Sequence, residues 1–285
     1  MHDQAENLRR LLQQKDRPEA KVIAVVSGKG GVGKSNVCLN FAIGLAEMGK
    51  KVLIIDLDIG MANVNILMGL NPTYHLIDLL ENERNIWELI EKGPAGISYI
   101  SGGTAFDTFV EMNEMRLHKF FSQLELIGRE FDYVFLDMGA GVTKESLEFI
   151  MAANEVFVVT TPEPTAMTDA YSMIKYIFLK EDKLIYLIVN RADSEQEAKR
   201  TIKSFKQVTL SFLSKELVEL GFIPNDPVVS RGVKAQVPFI LLDKHAKASV
   251  ALTQMVTSFI GVKKKDPITF LHFLLKMKKM VNFKK

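Results

Sequence analysis

Cysteine is nearly missing from this chain, whose 285 residues hold a single one, Cys38. One thiol cannot close an intrachain disulfide, so the fold must rest on its apolar core, and the composition suits a reducing compartment. Long apolar runs are missing as well. No stretch reaches the roughly 18 apolar residues that a membrane-spanning helix requires. The opening segment, MHDQAENLRR, lacks the apolar centre of a secretory signal, and a cytoplasmic protein is expected. Neither sign of charge dominates: 36 basic and 34 acidic side chains give a net charge of +2, so nothing global calls for nucleic acid, which is not expected as a partner. Internal repeats and low-complexity tracts are also absent, which excludes a solenoid.

What is present is enough apolar material for a full core, 47% of the residues. Five short runs are rich in β-branched residues and do not alternate: Val22–Val26, Val52–Ile55, Tyr133–Leu136, Val156–Val159 and Leu184–Val189. Strands buried on both faces read this way. Helical stretches separate them. Over Asn36–Glu47 the spacing sets Val37, Phe41, Ala42, Ile43 and Leu45 on a buried stripe, and Gly49 is a stop signal. Strand alternating with helix predicts an α/β fold, a doubly wound and mostly parallel sheet flanked by helices, with ligands at the carboxyl ends of the strands.

Residues 25–36, VVSGKGGVGKSN, fit two motifs at once. Gly28, Gly30 and Gly33 spell the dinucleotide fingerprint, with Asp56 near the spacing of a ribose-binding acid; the same residues spell a P-loop ending in Lys34 and Ser35. The pair after Gly33 decides. A pyrophosphate needs only a small residue there, whereas a triphosphate with Mg²⁺ needs a cation for its β- and γ-phosphates and a hydroxyl for the metal. Lys34 and Ser35 supply both. The loop residues Gly28, Lys29, Gly30, Gly31, Val32, Gly33, Lys34, Ser35 and Asn36 therefore form the expected nucleotide cradle, with backbone N–H groups and a helix N-terminus turned to phosphate. A second acid for the metal is expected at Asp137, where FDYVFLDMGAG ends an apolar run. Asp56 and Asp58 in IIDLDIG stand near the same loop, one for the metal shell and the other for a water.

Lys29, inside the glycines, gives K-G-G-x-G-K-[ST], which resembles the deviant Walker A motif of the MinD/ParA/nitrogenase-iron-protein family. The resemblance covers roughly residues 21–262. It implies an ATPase with ATP and Mg²⁺ as cofactors, slow and stimulated by partners, that cycles between a monomer and an ATP-bound homodimer. It also implies that Lys29 reaches the partner's phosphates across the dimer, as an arginine finger does elsewhere. Catalytic roles then fall to Lys29, Lys34 and Asp58, and the metal to Ser35, Asp56 and Asp137. DLDIGMANVN and DMGAG look like the family's two switches, with Gly139 where many members carry proline. VNRAD and GFIPNDP sit where members contact the base, which carries Asn190, Pro224 and Asp226 across as base-recognition residues.

Two appendages lie outside the sheet pattern. The 23 residues from Lys263 hold eight lysines and one acid, Asp266. Within them Phe270, Phe273, Leu274, Met277 and Val281 fall on one helical face, and Lys276 and Lys279 on the other. An interfacial helix on an anionic leaflet fits this pattern; a core helix docked on the domain is the alternative, and the two need not exclude each other. At the other end, DQAENLRRLL resembles the opening motif of FlhG-type (YlxH/FleN) ATPases. That resemblance implies that Asp3, Gln4, Ala5, Leu8 and Arg9 stimulate an FlhF-like GTPase. The chain divides accordingly into an arm (1–20), an ATPase domain (21–262) and a membrane-targeting helix (263–285). The expected role is control of flagellar number and placement, with flagellar switch or C-ring components as further partners and reversible attachment to the inner face of the cell membrane. A MinD-type division-site positioner and a nucleotide-gated scaffold that does not hydrolyse are the alternatives.

Overall fold

The unalternating apolar runs become parallel strands because both of their faces are covered. The structure, a computed structural model, describes residues 19–58, 64–81, 84–102, 114–141, 144–261 and 270–282. β1 (Lys21–Val26) leads through the glycine loop into α1 (Lys34–Glu47) and back to β2 (Val52–Leu57). Short helices α2 (Val64–Met68) and α3 (Leu76–Glu81) precede β3 (Glu91–Lys92) and β4 (Ser98–Ser101). Then come α4 (Glu114–Glu130), β5 (Tyr133–Met138), α5 (Lys144–Ala152), β6 (Glu155–Thr160), α6 (Pro164–Lys180) and β7 (Leu184–Ala192). α7 (Glu195–Leu213), β8 (Val218–Pro224), α8 (Pro227–Ala235), α9 (Phe239–Leu242), α10 (Lys247–Gly261) and α11 (Phe270–Asn282) follow. The sheet order is β3-β4-β2-β5-β1-β6-β7-β8, and β3 alone runs antiparallel to its neighbour.

β1 explains the lack of alternation. Val22, Ala24 and Val26 point into one apolar layer, Ile23 and Val25 into the other, and all five are fully buried. The first layer is roofed by α4, α5, α6, α7 and α11, the second by α1, α9 and α10. In the second layer Phe41 meets Phe157 edge to face with centroids 5.1 Å apart, and Phe157 meets Phe259 at 5.3 Å, a geometry that adds to simple burial. The predicted stripe of α1 is buried as expected, but so are Cys38, Leu39 and Gly44 on its other side. α9 and α10 cover that side, and Asn40 Oδ1 accepts from the Ile240 N–H to pin α9 there. α1 ends as predicted, with Gly49 in the left-handed region (φ 78°) and its N–H on the Ala46 carbonyl.

The C-terminal stretch forms a helix, and its apolar face is already occupied. Phe270, Phe273, Leu274 and Met277 lie in the first core layer, packed on α4 and α5. Of the docked and free readings, the structure takes the docked one. Lys276 differs from its expected place on the outer side: its Nζ meets Glu181 Oε1 at 2.5 Å and the Met151 carbonyl at 3.4 Å. Lys279 is exposed, while residues 263–269 and the side chain of Val281 lie outside the described residues. Among the described residues no helix is long and apolar enough to cross a membrane.

Glu181 serves a second ammonium beneath α11. Lys183, almost fully buried, donates to the Ala153 carbonyl at 2.6 Å and lies 3.6 Å from Glu181. Burial, and next the charge of Lys276, push the Lys183 ammonium down to about 8, against the pull of Glu181. Between about pH 8 and the ordinary lysine value of 10.5 the folded state then binds fewer protons than the unfolded one, so this group makes stability rise with pH. Thermal unfolding at pH 7.5, 9 and 10 should show wild type gaining on Lys183→Met by on the order of 1–3 kcal/mol. A constant gap between the two would mean that Lys183 stays ionised throughout.

Candidate active site

β1 and β5 are neighbours, and β5 also pairs with β2, so their carboxyl ends bring the glycine loop, Asp56 and Asp137 together. Asp56 and Asp137 are direct register partners, and Asp137 stands opposite Val25, two residues before the loop begins. The loop needs its glycines for two distinct reasons. Gly31 and Gly33 take φ of 79° and 90°, open to glycine at little cost. Gly28 has no such angle, but a Cβ there would lie 2.2 Å from the backbone carbon of Asp169 in α6. The N-terminus of α1 has no side-chain cap, which leaves its first N–H groups to an anion.

Lys34 is 6% exposed and its Nζ lies 2.6 Å from Oδ1 of Asp137, which is fully buried; it also donates to Ser35 Oγ at 3.3 Å. Asp56 accepts from the N–H groups of Asp58 (3.0 Å) and Val64 (3.3 Å) and from the Tyr99 hydroxyl (3.3 Å). Burial, and next the charge of Asp137, still hold the Asp56 carboxyl up at about 6. The same surroundings push the Tyr99 phenol and the Cys38 thiol up, burial first in each case. Among the described residues Asp137 Oδ2 is buried without a hydrogen-bond partner. Two carboxyl groups side by side, one of them with an orphaned oxygen, and a serine hydroxyl make an all-oxygen donor set. That set suits Mg²⁺, which takes few protein ligands and completes its shell with water and phosphate.

Asp58 has left the strand, since its N–H turns back on Asp56. Its carboxylate lies against the second switch, where a Cβ on Gly139 would come within 3.1 Å of Asp58 Oδ1. Gly139 thus keeps room for that carboxylate. The switch itself folds toward the loop, with the Gly141 N–H 3.3 Å from the Ser27 carbonyl. Of the first switch, residues 59–63 lie outside the described residues, as do Asp3, Gln4, Ala5, Leu8 and Arg9 of the N-terminal motif. Lys29 is engaged at the start of α6, its Nζ 2.8 Å from Thr165 Oγ1 and 3.6 Å from Glu163 Oε2.

The base-recognition residues converge less simply. Asn190 is buried and its amide donates to the Val32 carbonyl at 2.8 Å, so it braces the loop from beneath. Asp226 spends its carboxylate on the N–H groups of Val228 (2.9 Å) and Ala248 (3.1 Å), capping α8 and tying it to α10. Pro224 is half-buried at the end of β8, opposite Ala192 of β7. Beside Asn190, Arg191 holds φ of 57°, a left-handed bend in a non-glycine residue that the sequence does not announce. Tyr99, Glu163, Thr165 and Asp169 also touch the site without any motif to flag them.

Residues 19–260 match the ParA family, described as NUBPL iron-transfer P-loop NTPase. The antiactivator FleN of Pseudomonas aeruginosa is 34% identical over 232 residues, 81% of this chain and 83% of that protein. The flagellum site-determining protein YlxH of Helicobacter pylori is 34% identical over 254 residues, 82% of each chain. Among solved structures, the septum site-determining protein MinD of Pyrococcus horikoshii, complexed with Mg-ADP, superposes with a TM-score of 0.68 at 25% identity, over 87% of this chain and all of that one.

Proposed function

We propose that this chain, which belongs to the ParA family of P-loop NTPases and is a MinD/ParA-type ATPase, sets the number and placement of flagella. The likeness of four-fifths of the chain to FleN and to YlxH, a flagellum site-determining protein by name, carries this reading. ATP lies with its phosphates against the N–H groups of the loop and of α1. Lys34 leaves Asp137 for the β- and γ-phosphates. Ser35, Asp56 and Asp137 hold Mg²⁺, which when bound draws charge from the phosphate oxygens. Asp58 orients the attacking water. Lys29 leaves Thr165 and Glu163 and reaches the nucleotide of a second copy. Asn190 supports the base through the loop, and Pro224, with the backbone of Asp226, flanks it.

The dimer then acts on a membrane. α11 leaves its groove, and Phe270, Phe273, Leu274, Met277 and Val281 enter an anionic leaflet with Lys279 at its surface; Lys276 joins it once released from Glu181. The arm, residues 1–20, addresses an FlhF-like GTPase, and flagellar switch components are the downstream partners. A division-site role is the second reading, favoured by the full-length likeness to MinD.

Two variants separate the steps of this cycle. Asp58→Ala should bind ATP, accumulate as a dimer in sedimentation and turn over about 100-fold or more slowly, because nothing positions the water. Lys29→Ala should bind ATP and stay monomeric. A monomeric Asp58→Ala, or a fully active Lys29→Ala, would contradict the scheme. An FlhF-type GTPase whose rate this chain leaves unchanged would move the assignment to division-site positioning.

A further inference from the structure

At the opposite, amino ends of the strands a second site is built. A cleft of about 590 Å³ opens beside the starts of β2 and β4, with Val52 and Phe131 on its floor. Lysines 50, 51 and 92 line it together with Trp87. Only Lys51 is neutralised, by Glu130 at 2.5 Å. Lys92 donates to the neutral Ser98 hydroxyl at 3.1 Å, and among the described residues neither Lys50 nor Lys92 makes an ion pair. Two ammonium groups without counter-charge thus face a space large enough for a drug-sized ligand.

Trp87 is 43% exposed, in a short 3₁₀ turn (Ile86–Glu88) fixed from both sides. Asn85 caps its N–H, and Glu88 returns to the Asn85 N–H while pairing with Arg84. The turn's backbone is fixed, and the indole it carries stands half in solvent at the rim of a basic cleft, where it offers a stacking platform for a flat ring. Ala95 and Gly96 also line the cleft, with backbone in the left-handed region. Ala95, a non-glycine residue, sits at φ 54°, ψ 18°, followed by Gly96 at φ 79°. Strain of this kind persists where a local shape is needed, and here it shapes the cleft.

We propose that this cleft binds a phosphate ester carrying an aromatic ring, of mononucleotide size, at a site separate from the P-loop. Lys50 and Lys92 take the phosphate, and Trp87 stacks on the ring. Trp87 is the only tryptophan of the chain, so its fluorescence reports on this cleft directly.

The experiment titrates the full chain with guanosine 5′-monophosphate, inorganic pyrophosphate or a tetraglutamate peptide, with equilibrium dialysis of labelled guanosine 5′-monophosphate in parallel. Saturable quenching by the nucleotide is expected, with pyrophosphate about tenfold weaker for want of a ring and the peptide weaker still. Lys50→Glu combined with Lys92→Glu should abolish both signals and leave ATP turnover at the wild-type rate, which also certifies the fold. Absence of saturable binding, or binding that survives the charge reversals, would overturn the proposal. Pyrophosphate equal to the nucleotide would reduce the cleft to a plain anion site, and the peptide equal to it would make the cleft a surface for acidic proteins; either result also overturns the proposal.

Discussion

Lys34→Ala is expected to lose ATP affinity by about 100-fold or more, since charge-assisted hydrogen bonds to phosphate are worth about 1.5–3 kcal/mol each, and to lose stability at the same time. The second effect follows from the 2.6 Å pair with Asp137. Without nucleotide, the Asp137 carboxylate occupies the ammonium that phosphates would take, and both partners are out of water. Removing the lysine leaves Asp137 and its register neighbour Asp56 as adjacent buried carboxylates with no cation between them. Breaking one side of a buried pair costs about 3–5 kcal/mol, which lowers Tm by on the order of 10 °C in a chain of this size. Lys34→Met with Asp137→Asn removes both charges and should recover most of the Tm while ATP binding stays lost. Calorimetry and isothermal titration decide. Near-normal ATP binding by Lys34→Ala would sink the P-loop assignment, and NAD binding by wild type would revive the dinucleotide reading of the same glycines. An unchanged Tm would mean that the pair is not buried in solution.

The two halves of this site were unequally legible in the sequence. The loop, Asp56 and Asp137 were readable because each sits where an apolar run ends, and parallel strands place their carboxyl ends together whatever the intervening helices do. Tyr99, Thr165 and Glu163 were not readable, because they come from elements whose place in the sheet depends on strand order, and periodicity carries no strand order. β8 escaped for a related reason. It is an edge strand, with Glu219 exposed and Gly221 at φ 145°, so it lacks the unbroken apolar run that betrayed the central strands. Asp226 and Asn190 show what a motif leaves unsaid. The Asp226 carboxylate also accepts from two backbone N–H groups, and the Asn190 amide also donates to the loop, structural duties that no sequence pattern announces. For α11, amphipathicity predicted an apolar face correctly, but a membrane and a protein core present the same solvent to that face.

That ambiguity yields the second large effect, at Gly128 in α4. A Cβ there would lie 2.5 Å from Phe270 Cδ1 and 2.9 Å from Phe270 Cβ. The latter atom is anchored to the α11 backbone, so rotating the ring does not relieve the contact and the helix itself must shift. Gly128→Ala raises the helix propensity of α4 by about 1 kcal/mol, so any loosening must come from the α11 side. Overpacking of this kind costs about 1–3 kcal/mol, which multiplies the undocked fraction of α11 by roughly 5–150. In the wild type, burial of Phe270, Phe273, Leu274 and Met277 and the Lys276–Glu181 contact hold the helix down. One released helix is a marginal anchor, and two on a dimer gain about 10²–10⁴ in avidity. Flotation on anionic vesicles should therefore find wild type bound with ATP and free with ADP. Gly128→Ala should be partly bound even with ADP, and Gly128→Val more so. Phe270→Glu with Leu274→Glu should stay unbound with either nucleotide. Equal wild-type binding with ADP and ATP would refute the nucleotide switch. Amide exchange in 270–282 that is as slow in Gly128→Ala as in wild type, with no gain in lipid binding, would return α11 to a structural part of the core.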